Sequence, residues 1–229
     1  MDSEISIIIP TLNEADVLDR TLKHLTLLNP PPKEILIVDG GSQDNTLNIA
    51  HQAGISWLVS SKAGRSIQMN LGAKAAKGNI LLFLHADTRL PAQFDILVRD
   101  TLAQTDIIAG AFALQIDAGR WSLRLIEIGV NWRSRTLQMP YGDQAIFLPR
   151  AVFEKIGGFP ELPMMEDFEL MRRLKRWGRI AIIPVPVLTS ARRWLQKGAI
   201  ETTLMNQIAI IAYLLGVSPE RIKRWYRRD

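Results

Sequence analysis

The chain has 229 residues, of which 47% are hydrophobic and none is cysteine, and its formal net charge is +5 at pH 7. This length can bury a large core, and the lack of cysteine excludes a disulfide framework, a thiolate zinc site and a cysteine nucleophile. No signal peptide is recognised, and the apolar run 208–217 is shorter than the roughly 20 residues that span a bilayer, so we expect a soluble, cytoplasmic protein.

The first half of the sequence alternates between apolar runs and helical patterns. The predicted strands are 5–9, 34–39, 55–60 and 79–84. The pattern TLNE, with Thr11 as the cap and Glu14 three residues later, predicts a capping box for the first helix, and Pro91 is expected to begin the fourth helix. This alternation predicts an α/β fold, a mostly parallel Rossmann-like sheet flanked by helices, with ligands bound at the carboxyl ends of the strands.

The second half is less regular. The predicted strands are 107–116, 143–149 and 180–184, the last of them at an edge of the sheet. The predicted helices are 121–137, 151–159, 166–178 and a helical remainder over 194–227. We therefore expect a helical segment at the carboxyl end of the α/β domain.

Polar side chains follow two of the predicted strands. Asp39 comes directly after the second strand, where its carboxylate could accept hydrogen bonds from a nucleobase or ribose, or form a turn. His85 and Asp87 follow the fourth strand, and Asp87 could hold a divalent cation on a diphosphate or form a local turn. The glycine motifs of dinucleotide-binding enzymes and phosphate-loop ATPases do not occur, which argues against both classes.

Four sequence blocks occur in a fixed order: SIIIPTLNE, ILIVDGGSQDNT, GNILLFLHADT and a later ED. Together they resemble the family-2 glycosyltransferases, which have the GT-A fold, over residues 5 to 185. Within that family, the chain looks like a small bacterial subgroup that carries FLHADT, GDQ and ARRW. The resemblance implies transfer of a sugar, with inversion, from a nucleotide-diphosphate sugar (a UDP- or GDP-sugar) to an acceptor hydroxyl.

The same resemblance implies how the chain is divided. A glycosyltransferase domain is expected over 1–190, with a nucleotide-binding half at 1–105 and an acceptor half at 106–190. A helical extension is expected over 191–229, packed on this domain or at an interface.

The resemblance assigns a donor-nucleotide site to Pro10, Thr11, Glu14, Asp39, Arg65 and Asp87, and His85 and Ala86 lie beside Asp87 in the same motif. Because the leaving diphosphate needs positive charge, Arg192 and Arg193 are also expected at this site, or one of them lies in a solvated basic turn. Asp87 matches the last aspartate of the family's Asp-x-Asp motif and is expected to bind Mn²⁺ or Mg²⁺. His85 stands where the first aspartate is usual, so it either contacts the metal or the ribose, or is a structural histidine at the strand end.

The acceptor side is also implied by the resemblance. The family's Glu-Asp motif assigns the general base to Asp167, with Glu166 as support or alternate, although acidic residues also commonly begin helices. Asp143 and Gln144 are expected to hold sugar or acceptor hydroxyls, or else to form a turn. Trp194 would stack on a sugar or lipid, or serve in packing.

The apolar segment 198–217 is followed by a basic run that includes Arg227 and Arg228. Three interpretations stay open: packing on the domain, a homodimer interface, or peripheral contact of 198–229 with the inner face of the plasma membrane, which would suit a lipid-linked acceptor. No nucleic-acid-binding signature is recognised.

Two other functions stay open. A nucleotidyltransferase would need a basic, glycine-rich loop after the first strand, which TLNEADV lacks. A nucleotide-sugar-binding protein without catalysis is suggested by His85 in place of the first aspartate.

Overall fold

The computed structural model describes residues 4–226, without the side chains of Lys197, Ala199, Ile200 and Tyr226. Arg227 and Arg228 of the predicted basic run lie outside the described residues. The strands are β1 (Ile5–Thr11), β2 (Glu34–Asp39), β3 (Ser56–Val59), β4 (Ile80–Phe83), β5 (Thr88–Arg89), β6 (Ile107–Asp117), β7 (Phe147–Pro149) and β8 (Arg179–Ser190). The helices are α1 (Ala15–Thr26), α2 (Thr46–Gln52), α3 (Arg65–Ala75), α4 (Phe94–Leu102), α5 (Trp121–Leu137), α6 (Arg150–Lys155), α7 (Glu166–Leu174), α8 (Arg192–Lys197), α9 (Ala199–Leu214) and α10 (Pro219–Tyr226).

The described strands form one sheet in the order β3-β2-β1-β4-β7-β6-β8-β5. The parallel pairs are β1 with β2, β1 with β4, β2 with β3, and β6 with β8. The strands β7 and β5 run antiparallel to their neighbours. The predicted α/β fold with a mostly parallel sheet is therefore confirmed. Because β5 pairs with β8, the predicted halves 1–105 and 106–190 share this sheet, and their boundaries stay predictions.

The central strands are buried on both faces because each carries apolar residues at every position. On β1, Ile7 and Ile9 pack with α1 and α4 in one core, whereas Ile8 points to a second core with α3. This two-sided burial explains the continuous β-branched run that marked β1 in the sequence.

The predicted capping box is wrong. Thr11 belongs to β1, and its Oγ1 donates a hydrogen bond to Asp39 Oδ1 at 3.1 Å. Glu14 precedes α1 without a side-chain capping bond, and the Ala15 amide is instead bound by Asp44 Oδ2 at 3.1 Å. A residue from the β2–α2 turn thus caps α1, a long-range contact that the local pattern did not reveal.

Three further boundaries differ from prediction. α4 begins at Phe94, not at Pro91, because residues after β5 make a turn in which Gln93 has a left-handed φ of 56°. The strand predicted at 143–149 is limited to β7, and Gly142–Gln144 forms a 3₁₀ turn. The strand predicted at 180–184 extends to Ser190 as β8 and lies between β6 and β5, so it is not an edge strand.

The carboxyl-terminal helices pack on the sheet domain. Ala209 and Ala212 of α9 and Ile222 of α10 are buried in the second core. Between residues 4 and 226, none of the helices has the length and apolarity to cross a bilayer. Peripheral membrane contact, a homodimer and a cytoplasmic location stay predictions.

Candidate functional site

A cavity of about 350 Å³ opens at the carboxyl ends of β1, β4 and β8. Eleven of the predicted site residues line it: Pro10, Glu14, Arg65, His85, Ala86, Asp87, Asp143, Asp167, Arg192, Arg193 and Trp194. Four others lie outside the lining: Thr11, Asp39, Gln144 and Glu166. The parallel strands therefore bring distant parts of the chain to one edge of the sheet, as the topology predicts.

Asp39 is fully buried at the end of β2 and organises the turn that follows it. Its Oδ2 accepts hydrogen bonds from the amides of Gly41 at 2.8 Å and Ser42 at 2.7 Å, and its Oδ1 accepts from Thr11 and from Ser42 Oγ. The turn-forming role is thus filled by Asp39. Its predicted contact with the base, and that of Thr11, stay predictions.

Gln144 is also fully buried, and its contacts are internal. Its Nε2 donates to the Phe112 carbonyl at 2.9 Å, and its Oε1 accepts from Ser134 Oγ at 2.8 Å and from the Tyr141 amide at 3.2 Å. These bonds fix the 3₁₀ turn, so Gln144 holds its neighbours Tyr141 to Asp143 at the cavity.

One side of the cavity combines two carboxylates with an arginine. Arg192 Nη2 donates to Glu14 Oε2 at 2.8 Å, which joins the start of α8 to the start of α1. Burial raises the pKa of Glu14 and of Asp87, and the Arg192 guanidinium opposes both rises. The charge of Asp87 also raises the pKa of Glu14, so the two carboxylates interact across this side of the cavity.

Whether this cluster fits a divalent cation depends on the ligands. Within 4–226, no three His, Asp or Glu side chains are arranged as a metal site. Mg²⁺ is commonly held by one or two carboxylates together with substrate phosphates and water, and Asp87 with Glu14 offers that kind of donor set. The residues present therefore fit a cation that enters with a diphosphate.

His85 lies beside an arginine and is uncharged at neutral pH. Burial lowers the pKa of its imidazole to about 3, helped by the positive charges of Arg65 and Arg193 against the opposing charge of Asp167. Its Nε2 is 3.4 Å from Arg65 Nη1. Because a guanidinium only donates hydrogen bonds, Nε2 is assigned as the acceptor and Nδ1 as the protonated nitrogen.

Arg65, the first residue of α3, is held by a buried carboxylate. Its Nε donates to Oε1 of Glu166, whose side chain is only 2% exposed. Burial by itself would lower the pKa of Arg65, but the nearby charges of Glu166, Asp167 and Asp143 outweigh it and raise the pKa. Arg65 is therefore a fixed cation at the cavity, near the carboxylates of Asp167 and Asp143.

Asp167 is oriented by backbone amides on both oxygens. Its Oδ2 accepts from the Gly142 amide at 2.9 Å, and its Oδ1 accepts from the Phe168 amide at 2.8 Å. A Cβ at Gly142 would lie 2.9 Å from His85 Nε2 and 3.5 Å from Asp167 Oδ2, so glycine permits this close approach. The carboxylate keeps further lone pairs for an incoming donor.

Asp143 has a buried oxygen, Oδ1, without a hydrogen-bond partner. Burial raises the pKa of this carboxyl to about 6; Arg133 opposes the rise and Asp167 adds to it. Arg133 stacks over the Tyr141 ring at 3.5 Å, and its Nε is also buried without a partner. Unpaired buried groups of this kind are costly, and a bound ligand could satisfy them.

Several cavity residues were not predicted. Thr202 and Asn206 line it from α9, four residues apart on one helical face, and Thr202 Oγ1 is buried without a partner. No local signal distinguished them, because Glu201, Thr203 and Gln207 are polar residues of the same helix. The apolar side of the lining consists of Met164, Met165, Phe168, Ala209 and Ile210.

Two curated relatives are similar to the chain over about two thirds of its length. A PGL/p-HBAD biosynthesis glycosyltransferase of Mycobacterium tuberculosis is 32% identical over 171 residues, which are 67% of this chain and 62% of that protein. Glycosyltransferase AglE of Haloferax volcanii is 34% identical over 169 residues, 68% of this chain and 56% of that protein. The chain thus spans less than two thirds of either relative.

Solved structures share the fold at lower identity. Mannosyltransferase PcManGT from Pyrobaculum calidifontis, in complex with GDP-Man and Mn²⁺, has a TM-score of 0.66 at 21% identity over 82% of this chain and 56% of its own. TarS residues 1–349 of S. aureus, in complex with UDP-GlcNAc, has a TM-score of 0.64 at 18% identity over 82% of this chain and 58% of its own.

The family model "Glycosyl transferase family 2" matches residues 6–156, which is more than half of the chain. The matched region contains β1 except for Ile5, the strands β2 to β7, and the residues His85 and Asp87. The chain therefore belongs to glycosyl transferase family 2, and its fold is the GT-A fold that the sequence resemblance implies.

Proposed function

We propose that the chain is an inverting glycosyltransferase that moves a sugar from a nucleotide-diphosphate sugar to an acceptor hydroxyl. The observation that carries this proposal is one cavity with Asp87 and Arg192 on one side and the oriented carboxylate of Asp167 on another. The bound GDP-Man and UDP-GlcNAc of the structural neighbours support a nucleotide-sugar donor.

The donor diphosphate is placed at the Asp87 side of the cavity. Asp87, with Glu14 nearby, would hold Mn²⁺ or Mg²⁺; such a cation, when bound, neutralises charge on the leaving diphosphate. Arg192 and Arg193 add positive charge for the same phosphates. His85, as a neutral imidazole beside Arg65, would contact the ribose or the cation.

The chemical step transfers one proton to the protein. The acceptor hydroxyl gives its proton to Asp167 as its oxygen forms a bond to the anomeric carbon from the face opposite the leaving group. The bond from that carbon to the diphosphate oxygen breaks, and its electron pair stays on the diphosphate. Arg65 lies at the same cavity and stabilises the charge that develops there.

Glu166 is assigned to support this step, not to carry it. Its carboxylate is 2% exposed, lies outside the cavity lining and is paired with Arg65. It therefore positions Arg65, whereas Asp167 lines the cavity and can reach an acceptor hydroxyl.

The acceptor side is formed by groups that lack partners inside the protein. Asp143 Oδ1 and Thr202 Oγ1 are buried without hydrogen bonds, and a sugar or acceptor hydroxyl would satisfy them. Trp194 offers a ring for a sugar or lipid face.

Calorimetric titration of UDP, GDP and their sugars, with and without Mn²⁺, tests the donor assignment. We expect wild type to bind one nucleotide only when Mn²⁺ is present. The variant Asp87→Ala should lose this binding. The variant Asp167→Asn, which removes another carboxylate of the same cavity, should keep it. A folded wild type that binds no nucleotide would overturn the proposal. Binding without hydrolysis or transfer to any acceptor would favour a non-catalytic nucleotide-sugar-binding protein.

A further inference from the structure

Helix α5 exposes a continuous apolar stripe to solvent. Trp121, Leu125, Ile128 and Trp132 are 76%, 59%, 65% and 64% exposed. Their spacing of four, three and four residues places them on one face over three helical turns. The opposite face packs on the sheet through Leu123 and other residues. We name these four residues the α5 stripe; it is unusual because two tryptophans are left in water.

Helix α9 carries a second stripe with the same spacing. Leu204, Ile208 and Ile211, together with Leu215 directly after the helix, are 56%, 50%, 57% and 80% exposed, and we name them the α9 stripe. α5 and α9 pack against each other. Neighbouring helices of the domain therefore both present large apolar side chains outward.

The charges around the α5 stripe are positive. Arg120 and Arg135 are exposed at its two ends. Glu127, the one acidic residue of α5, is buried and paired with Arg124 at 2.9 Å. An apolar face with tryptophans and flanking arginines suits the interface of a bilayer that contains anionic lipid.

A second copy of this chain would fit the α5 stripe less well. In a two-fold interface the same patch meets itself, so Arg120 and Arg135 of one copy would face the same two arginines of the other. α5 has no exposed carboxylate to neutralise them, and the one acidic residue of α9, Glu201, is exposed in the first turn of that helix. Like charges across an interface oppose association, whereas lipid phosphates neutralise arginines.

We propose that the α5 and α9 stripes form a docking surface for an anionic lipid bilayer. Docking itself does not depend on the proposed sugar transfer. It would nevertheless matter for the cavity, because the inner face of α9 lines it through Thr202, Asn206, Ala209 and Ile210. The cavity would then lie about one helix diameter, roughly 10 Å, from the lipid, within reach of a lipid-linked acceptor.

Vesicle flotation tests the proposal with the full chain. Wild type should float with phosphatidylcholine vesicles that contain phosphatidylglycerol, and less with phosphatidylcholine alone or at high salt. The double variant Trp121→Ser/Trp132→Ser should bind about 100-fold more weakly, because two large apolar side chains leave the interface. The matched control is Trp57→Ser/Trp177→Ser, which removes two exposed tryptophans outside both stripes and should bind like wild type.

A second variant, Ile208→Ser/Ile211→Ser, tests the α9 stripe independently and should also weaken vesicle binding. Three outcomes would overturn the proposal. The first is that wild type fails to bind anionic vesicles. The second is that both stripe variants bind these vesicles as tightly as wild type does. The third is that light scattering shows a wild-type dimer, which the Trp121→Ser/Trp132→Ser change converts to a monomer, while wild type does not bind vesicles. The last result would assign the surface to a second copy.

Discussion

Replacing Arg65 with methionine should destabilise the protein through the carboxylate that it leaves behind. Glu166 is 2% exposed, so its charge would lose a charged donor in a place that water scarcely reaches. Breaking a fully buried ion pair costs about 3–5 kcal/mol. Because the Arg65 side chain is 43% exposed, we expect a smaller loss in the free energy of unfolding, about 2–3 kcal/mol.

A double-mutant cycle measured by urea denaturation separates this effect from lost packing. Glu166→Gln leaves a neutral amide, so the double variant Arg65→Met/Glu166→Gln should recover part of the loss, with a coupling of about 1–2 kcal/mol. In thermal unfolding, Arg65→Met should lower Tm by about 5–10 °C for a chain of this size.

The same substitution should raise the pKa of His85. Burial is the largest cause of this low pKa, which is about 3, and the positive charge of Arg65 is the second largest. Titration of the imidazole by NMR would show the change. A loss of less than about 0.5 kcal/mol, additive effects in the cycle and an unmoved His85 pKa would together refute the reasoning.

The remaining predictions concern catalysis, pH and packing. Asp167→Asn should keep donor binding but lower kcat by about 10²–10⁴-fold in a transfer assay; substantial transfer would move the base elsewhere. The pKa of Asp143 is raised from 3.8 to about 6, so its charged form is disfavoured in the folded state and stability falls as pH rises between these values. Urea denaturation should show Asp143→Asn more stable than wild type by about 3 kcal/mol at pH 7 and equal to it below about pH 4. Gly110→Ala would place a Cβ 2.7 Å from Cε2 of Phe147 and should lower the free energy of unfolding by about 3 kcal/mol. The exposed helical Gly129 has open space around it, so Gly129→Ala should raise the free energy of unfolding by about 0.5–1 kcal/mol in the same measurement.

The central strands and the parallel sheet could be predicted because their signal is local. The run that contains Ile7, Ile8 and Ile9 reports burial on both faces directly, and α5 has the bounds 121–137 that its pattern predicts. Errors arose where a distant side chain decides the local structure. Asp44 caps α1 from another turn, and internal bonds of Gln144 replace part of a predicted strand by a 3₁₀ turn.

The candidate site follows the same division. The strand ends that carry His85 and Asp87, together with the family resemblance for Glu14, predicted that these residues would meet, because the carboxyl ends of parallel strands share an edge. The burial of Glu166 behind Arg65 could not be predicted, since helix position alone does not distinguish Glu166 from Asp167. The contribution of α9 also depends on tertiary packing that its sequence does not encode locally.

The position of α8 and α9 along the cavity bears on how such an enzyme diversifies. The family model ends at residue 156, whereas Arg193, Trp194, Thr202 and Asn206 enter the cavity from later in the chain. The strands that present His85 and Asp87 belong to the shared part. Under the proposed function, changes in α9 can therefore alter the acceptor side of the cavity without altering the strands that present His85 and Asp87.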